Sequence, residues 1–232
     1  VIAGYPWFLD WGRDTLIVVR GLIAAGRRDA ARHILKQFAR FEKSGTLPNM
    51  IRGNDARDRD TSDAPLWFAV ACADWIEGEE KETFLEESVD GRTVREVLIS
   101  IGRGYRDGAP NGIRMDPETG LIFSPAHFTW MDTNFPAGTP REGYPVEIQA
   151  LWHAALRLLS RIDPENSDDW SGLAEKVRTA LAERFFSAER GFLSDCLHAG
   201  TGVGAAEATP DDALRPNQLY ALTLGAITDP AM

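Results

Sequence analysis

Carboxylates, arginines and indoles recur in this sequence at four short joints. The joints are Trp11-Gly12-Arg13-Asp14, Thr61-Ser62-Asp63-Ala64-Pro65, Pro140-Arg141-Glu142-Gly143-Tyr144-Pro145 with Glu147 just after it, and Leu214-Arg215-Pro216-Asn217. Trp7, Trp11, Trp67, Trp130 and Trp152 lie at or near them. Indole faces suit the apolar faces of sugar rings, while Asp, Glu and Arg take hydroxyls, so the combination points to a neutral polyol ligand. Hydrolysis of a glycosidic bond normally needs two carboxyl groups, one protonated to donate to the leaving oxygen and one to activate water or attack carbon. Asp132, in Thr129-Trp130-Met131-Asp132-Thr133-Asn134-Phe135, is the acid candidate. Apolar Trp130, Met131 and Phe135 beside it would raise its pKa by desolvation. Asp14 and Glu147 fall where helices begin, and helix N-termini favour the ionised form, so both suit hydroxyl binding or a salt bridge. The same residues have plainer readings. Ser, Thr or Asp ahead of Pro makes an ordinary helix cap, indoles fill cores, and Asp132 can close a turn with Asn134.

Other chemistries find little support. His33, His127, His153 and His198 are scattered without the paired spacing of a zinc helix; His33 belongs on a solvent face, and His127 is a candidate ligand contact. Asp55, Asp58 and Asp60 lack the ordered spacing and terminal Glu of a calcium loop, and Arg52, Arg57 and Arg59 offer them partners. Gly102-Arg103-Gly104 is not followed by the helix a phosphate loop requires, and no Gly-x-Ser-x-Gly occurs. No metal or cofactor is therefore expected. Two cysteines, Cys72 and Cys196, exclude a disulfide framework. A net charge of -10, from 25 Lys+Arg against 35 Asp+Glu, argues against nucleic-acid binding, and no apolar run approaches the roughly 20 residues of a membrane-spanning helix. With 44% hydrophobic residues, 232 residues can bury a core in one domain or at most two.

The elements that must position these residues are helices of two alternating kinds. One kind is apolar nearly all round, over 15–25, 64–76, 146–159 and 219–224, and must be surrounded by protein. The other is amphipathic, over 28–41, 94–105 and 173–186. Their alternation predicts two helical layers, with the starts of the inner helices at one end. Asp14, Asp63, Arg141, Glu147 and Asn217 would then share one mouth. A long Gly-, Pro- and aromatic-rich insertion over 107–144 is of the length usually reserved for function. Residues 191–197 form a short extended run, 200–211 a flexible polar loop, and Glu79-Glu80-Lys81-Glu82 a solvated connection. Val1 at the start, and Thr228-Asp229-Pro230 reading as a helix start near the end, suggest a piece of a longer protein.

Gly4-Tyr5-Pro6-Trp7-Phe8-Leu9-Asp10-Trp11-Gly12-Arg13-Asp14-Thr15 resembles the signature of the amylo-alpha-1,6-glucosidase domain of glycogen debranching enzymes. Leu47-Pro48-Asn49-Met50-Ile51, Asp63-Ala64-Pro65-Leu66-Trp67-Phe68, Thr129-Trp130-Met131-Asp132, Thr139-Pro140-Arg141, Pro145-Val146-Glu147-Ile148-Gln149-Ala150-Leu151-Trp152 and Arg215-Pro216-Asn217-Gln218 match in the same order. The resemblance implies an all-α fold, an (α/α)6 toroid of six inner and six outer helices. It implies an inverting hydrolase, cytoplasmic and without cofactor, that removes the alpha-1,6-linked glucose left at a trimmed branch of glycogen or limit dextrin. By motif position Asp132 is the general acid, and Trp11, Arg13, Asp14, Asp63, Trp67, Trp130, Arg141 and Glu147 are the substrate-binding residues. The general base of the family is a glutamate nearer the C-terminus, with no matching segment before Met232. Four inner and about three outer helices amount to three and a half hairpins. Residues 1–232 thus read as a single catalytic domain truncated at the C-terminus and also at the N-terminus, inactive in isolation. Asp60, where the family usually has Asn, and Thr133-Asn134-Phe135-Pro136 depart from the pattern, in the part of the pocket that would hold the outer chain. Another (α/α)6-barrel glycosidase, and a non-catalytic sugar-binding barrel, are the competing readings.

Overall fold

The computed structural model describes residues 10–53, 55–77, 81–133 and 139–229. Eight α-helices account for most of the ordered backbone among them: α1 (Gly12–Ala24), α2 (Arg28–Phe41), α3 (Ala64–Ile76), α4 (Lys81–Leu85), α5 (Val94–Asp107), α6 (Val146–Ile162), α7 (Ser167–Phe185) and α8 (Leu219–Thr223). The apolar helices pack in series, α1 on α3, α3 on α6 and α6 on α8. The amphipathic ones cover them, α2 on α1, α5 on α6 and α3, and α7 on α6. The expected two layers are therefore present. Helix α2 shows why: Ala31, Leu35 and Phe38 face inward at helical spacing, while Arg32 and Arg40 face solvent. Helix α5 starts at a capping box, in which Thr93 Oγ1 accepts from the Glu96 amide and a Glu96 carboxylate oxygen accepts from the Thr93 amide at 2.7 Å.

Three expectations need correction. Helices α3 and α6 are buried nearly all round, but α1 is not: Ile17 and Val18 are exposed, as are Leu219 and Leu222 at α8. These two helices stand at the ends of the series, with no neighbour on their outer side among the described residues. The fold is also not purely helical. Short antiparallel ladders stitch the connections, including Asp10–Trp11 with Met50–Ile51 and a three-stranded sheet in the order Thr209–Asp211, Cys196–His198, Gly143–Pro145. That sheet takes in only the end, Thr209–Asp211, of the segment expected to be a flexible polar loop. Of the Glu79-Glu80-Lys81-Glu82 connection, Lys81 and Glu82 open the short helix Lys81–Leu85, and Glu79 and Glu80 lie outside the described residues. Residues Trp7, Phe135 and the Pro230 of the last helix signal lie outside the described residues.

The long insertion earns its order by burial. Leu121, Ile122 and Phe123 are in the core, Gln149 of α6 bonds both the amide and the carbonyl of Ile122, and the Trp152 indole donates to Gly120 O at 3.2 Å. Trp152, completely buried and stacked on Tyr105, is thus core and not a site residue. The return of the insertion into α6 depends on one glycine. Gly143 has φ +125°, and a Cβ there would stand 2.2 Å from Leu197 O. Gly143→Ala is expected to lose about 2–3 kcal/mol, from backbone strain plus overpacking. Urea unfolding measures it, and a loss within 0.5 kcal/mol, roughly the noise of a surface change, would show that the sheet yields.

Candidate active site

Four helix starts surround a pocket of about 640 Å³. The first two turns of α1 contribute Arg13, Asp14 and Ile17, the start of α3 Asp63 and Trp67, the first turn of α6 Glu147, the turn before α8 Asn217, and α8 itself Leu219 and Tyr220; Trp130 of the insertion completes the wall. Gly12 makes this approach possible. Its amide donates to Asn49 O at 2.9 Å, and a Cβ at this position would meet Pro48 O at 2.5 Å.

None of the three carboxylates at these starts serves as a cap. Trp11, Asp63 and Pro145 occupy the cap positions of α1, α3 and α6, and none makes a side-chain capping hydrogen bond. Asp63 is buried and turned instead toward Arg13, whose Nη1 donates to its two oxygens at 2.9 and 3.2 Å, and Thr61 Oγ1 donates to Oδ1 at 2.7 Å. Burial works against the charge on Arg13, but the attraction and hydrogen bonds of Asp63, then Asp132 and Asp14, outweigh it, and the guanidinium is held above its ordinary range. The ring of Trp67 meets Tyr220 edge-on at 5.3 Å and lies 5.7 Å from the Arg20 guanidinium.

Two of the predicted contacts do not line the pocket: Trp11 opens into a neighbouring recess, and Arg141 lies completely buried behind Glu147. Its Nη2 donates to Glu147 Oε2 at 2.6 Å, its Nη1 pairs with Glu147 Oε1 and donates to Thr129 Oγ1 at 3.2 Å, and its Nε lies 2.9 Å from Asp195 Oδ2 in an ion pair without hydrogen-bond alignment. Burial lifts the Glu147 carboxyl above its ordinary range, and the Arg141 guanidinium pulls against that by charge and hydrogen bonding. Arg141 itself adopts φ +50°, a conformation non-glycine residues seldom take. Its role is to fix the pocket carboxylate from beneath.

Asp195 anchors both the floor and one wall. Besides Arg141, it accepts from Arg215 Nη1 at 2.9 Å and from Asn217 Nδ2 at 2.7 Å. Asn217 Oδ1 in turn accepts from the Trp130 indole at 2.8 Å. Trp130 therefore presents a half-exposed ring to the pocket while its polar edge is tied down. Asp195 was missed by the site expectations. A lone carboxylate inside an extended apolar stretch, Phe192-Leu193-Ser194-Asp195-Cys196-Leu197, was the available signal, since such a residue is rarely buried without partners.

Asp132 is not inside this pocket. It lies a third exposed at its edge, 3.5 Å from Arg13 Nη2, and opens with Trp11 into an adjoining recess of about 490 Å³. Of the apolar neighbours expected beside Asp132, Trp130 is directed to Asn217 and Phe135 lies outside the described residues, while Arg13 stands beside the carboxylate. The single hollow inferred from the sequence is thus two, meeting at the Arg13–Asp132 pair. Among the described residues no group of His, Cys, Asp and Glu is placed to hold a metal ion, and no helix is long and apolar enough to cross a membrane.

Comparison with known proteins finds this fold in two solved rhamnosidases. A rhamnosidase from Klebsiella oxytoca solved with rhamnose bound superposes with a TM-score of 0.64 at 15% identity, over 95% of this chain and 39% of that one. A GH78 family rhamnosidase of Bacillus sp. GL1 gives 0.58 at 14% identity, over 81% and 18%. At such identities the likeness is one of fold. The glycogen debranching enzyme of Saccharomyces cerevisiae is 28% identical over 68% of this chain, which spans only 14% of that protein's length. The family model for amylo-alpha-1,6-glucosidase matches residues 1–228, nearly end to end, and the chain belongs to that family.

Proposed function

We propose that this chain is the substrate-binding and acid-bearing part of a glycoside hydrolase that releases alpha-1,6-linked glucose from branched glucan, glycogen or limit dextrin. The observation that carries the reading is the meeting of Arg13, Asp63, Glu147, Trp67 and Trp130 in one pocket with Asp132 at its edge. A terminal glucose would stack its apolar face on indole while Asp14, Asp63 and Glu147 accept from its hydroxyls and Arg13 donates. The ion pairs behind Asp63 and Glu147 hold these acceptors in place before the sugar arrives, which limits reorganisation on binding. Asp132 is the general acid, on the side from which the glycosidic oxygen leaves. In the inverting scheme a second carboxylate activates water on the opposite face of the ring. We infer, in line with the family resemblance, that the base is a glutamate outside this sequence and that the helices form part of an (α/α)6 toroid of a cytoplasmic enzyme.

The test is a substrate panel on the full-length gene product. Branched limit dextrin should release free glucose with the anomeric configuration inverted, at a kcat/KM well above that for an alpha-1,6-linked disaccharide or an aryl rhamnoside. Preference for the disaccharide or the rhamnoside would assign a different glycosidase. Binding without hydrolysis of any of them would leave a sugar-binding domain.

A further inference from the structure

The later turns of α6 help to build a cavity of a different chemistry. His153, Arg157 and Arg161 recur every four residues and form one stripe along that helix. Ser171, Ala174 and Arg178 make the stripe of α7 that meets it, and Gly225, in the turn after α8, lies against both. The cavity between them has a volume of about 450 Å³, within the range of small-molecule sites. Ser171, Ala174 and Gly225 are the small residues that leave this room. Gly225 takes φ +73°, and a Cβ there would stand 3.3 Å from Arg157 Nη1, so the glycine keeps space beside that guanidinium. The pocket at the helix starts is separate. Arg157 lies about 15 Å further along α6 than Glu147, at roughly 1.5 Å of rise per residue.

The wall of this cavity is cationic, on a chain whose net charge is -10. It carries the guanidinium groups of Arg157, Arg161 and Arg178 against one carboxylate, Glu175. The Arg157 side chain has no hydrogen bond or ion pair among the described residues. Arg161 Nη1 donates to Glu77 Oε1 at 2.7 Å, and Arg178 Nε donates to Glu175 Oε2 at 2.8 Å. Both carboxylates are more than half exposed, so these are surface pairs that contribute little and exchange readily. The field inside shows at His153. Burial, and then the charges of Arg157 and Arg178, push its imidazole down to about 4, against a lesser pull from Glu175. Guanidinium groups from two helices therefore act on one point, and their mutual repulsion is relieved when an anion joins them.

The geometry points to this cavity as a binding site for a small phosphate monoester, with Arg157 of α6 and Arg178 of α7 donating to its phosphate oxygens and Arg161 supplying the third cation. The planar fork of a guanidinium matches phosphate oxygens, and a dianion serves two cations at once where the single charge of Glu175 serves one. The volume left over holds the body of the ester, a polyol or one sugar unit. The site is independent of the hydrolase reading, since none of its residues lines the pocket at the helix starts.

Isothermal titration of the full-length gene product, at constant ionic strength, checks the assignment with glycerol 3-phosphate, inorganic phosphate, malonate and glycerol. Glycerol 3-phosphate should bind saturably and more tightly than inorganic phosphate or malonate, and glycerol should not bind. Arg157→Gln and Arg178→Gln should each weaken the ester by about tenfold or more, as expected when a charge-assisted hydrogen bond to an anion is lost. Arg103→Gln removes an equal charge from the exposed side of α5 and should leave binding as it is. Without ligand, Arg157→Gln should keep the wild-type melting temperature, because its side chain is exposed and unpaired among the described residues. No saturable binding of the ester, equal weakening by all three substitutions, or tighter binding of malonate would overturn the site. Inorganic phosphate bound more tightly than the ester would overturn the monoester assignment. None of these results bears on hydrolysis, which the substrate panel tests separately.

Discussion

Asp132→Asn is expected to cut release of glucose from a branched alpha-glucan by about 10²–10⁴-fold, the usual contribution of a positioned general acid. Hydrolysis of alpha-glucosyl fluoride by the same variant should fall far less, because fluoride leaves without a full proton transfer. The contrast isolates proton donation from shape. Asparagine matches aspartate in size, and its amide oxygen can still accept from Arg13 Nη2, which stands 3.5 Å away in the wild-type protein. Arg13 also keeps its stronger pair with Asp63 at 2.9 Å. The pocket should therefore survive the change, and kcat should carry the loss. Parallel losses on both substrates would reassign Asp132 to shaping the site, and wild-type rates on glucan would remove it from the reaction.

The largest structural effect is expected at Arg141. Arg141→Met should cost about 3–5 kcal/mol, because it leaves Glu147 buried without its cation and takes from Asp195 one of its two, the other being Arg215. Lysine should not rescue it. The guanidinium serves Glu147, Thr129 Oγ1 and the Asp195 carbonyl at once, and a single ammonium cannot reproduce that planar fork. Urea unfolding of the single variant and of Arg141→Met with Glu147→Leu checks the cause. Removing both charges should recover a large part of the loss, since a missing pair is tolerated better than an orphaned carboxylate. Equal instability in the single and double variants would point to Asp195, not Glu147, as the group in need.

How much of this was legible beforehand depends on how local each signal is. Helices α2 and α3 could be read to the residue, because apolar spacing over three turns and the Asp63-Ala64-Pro65 start are properties of the chain itself. The convergence of Asp14, Asp63, Glu147 and Asn217 followed from the alternation of buried and amphipathic helices. Two-residue ladders such as Arg114–Met115 with Ile122–Phe123 are too short to show a period of two, which is why the fold read as purely helical. Side-chain direction was beyond reach as well. Arg141 and Arg13 both precede a helix start or sit within one, but only tertiary packing decides that one lies under the floor and the other on the wall. The partition of the mouth into two hollows depends on the Arg13–Asp132 contact, 119 residues apart in the chain. The exposed faces of Ile17 and Leu219 likewise reflect which neighbours a helix has, and an apolar sequence cannot report that.

Asp195 has a mechanical consequence. One carboxylate braces the guanidinium under Glu147 and, through Asn217, the indole of Trp130. On the proposed reading, stacking surface and hydroxyl acceptor are then coupled: a guest that displaces the indole would also loosen the Glu147 carboxylate braced through the same aspartate. A sugar of the wrong outline would then be penalised twice for one misfit, giving the pocket a sharper discrimination than either contact alone would provide.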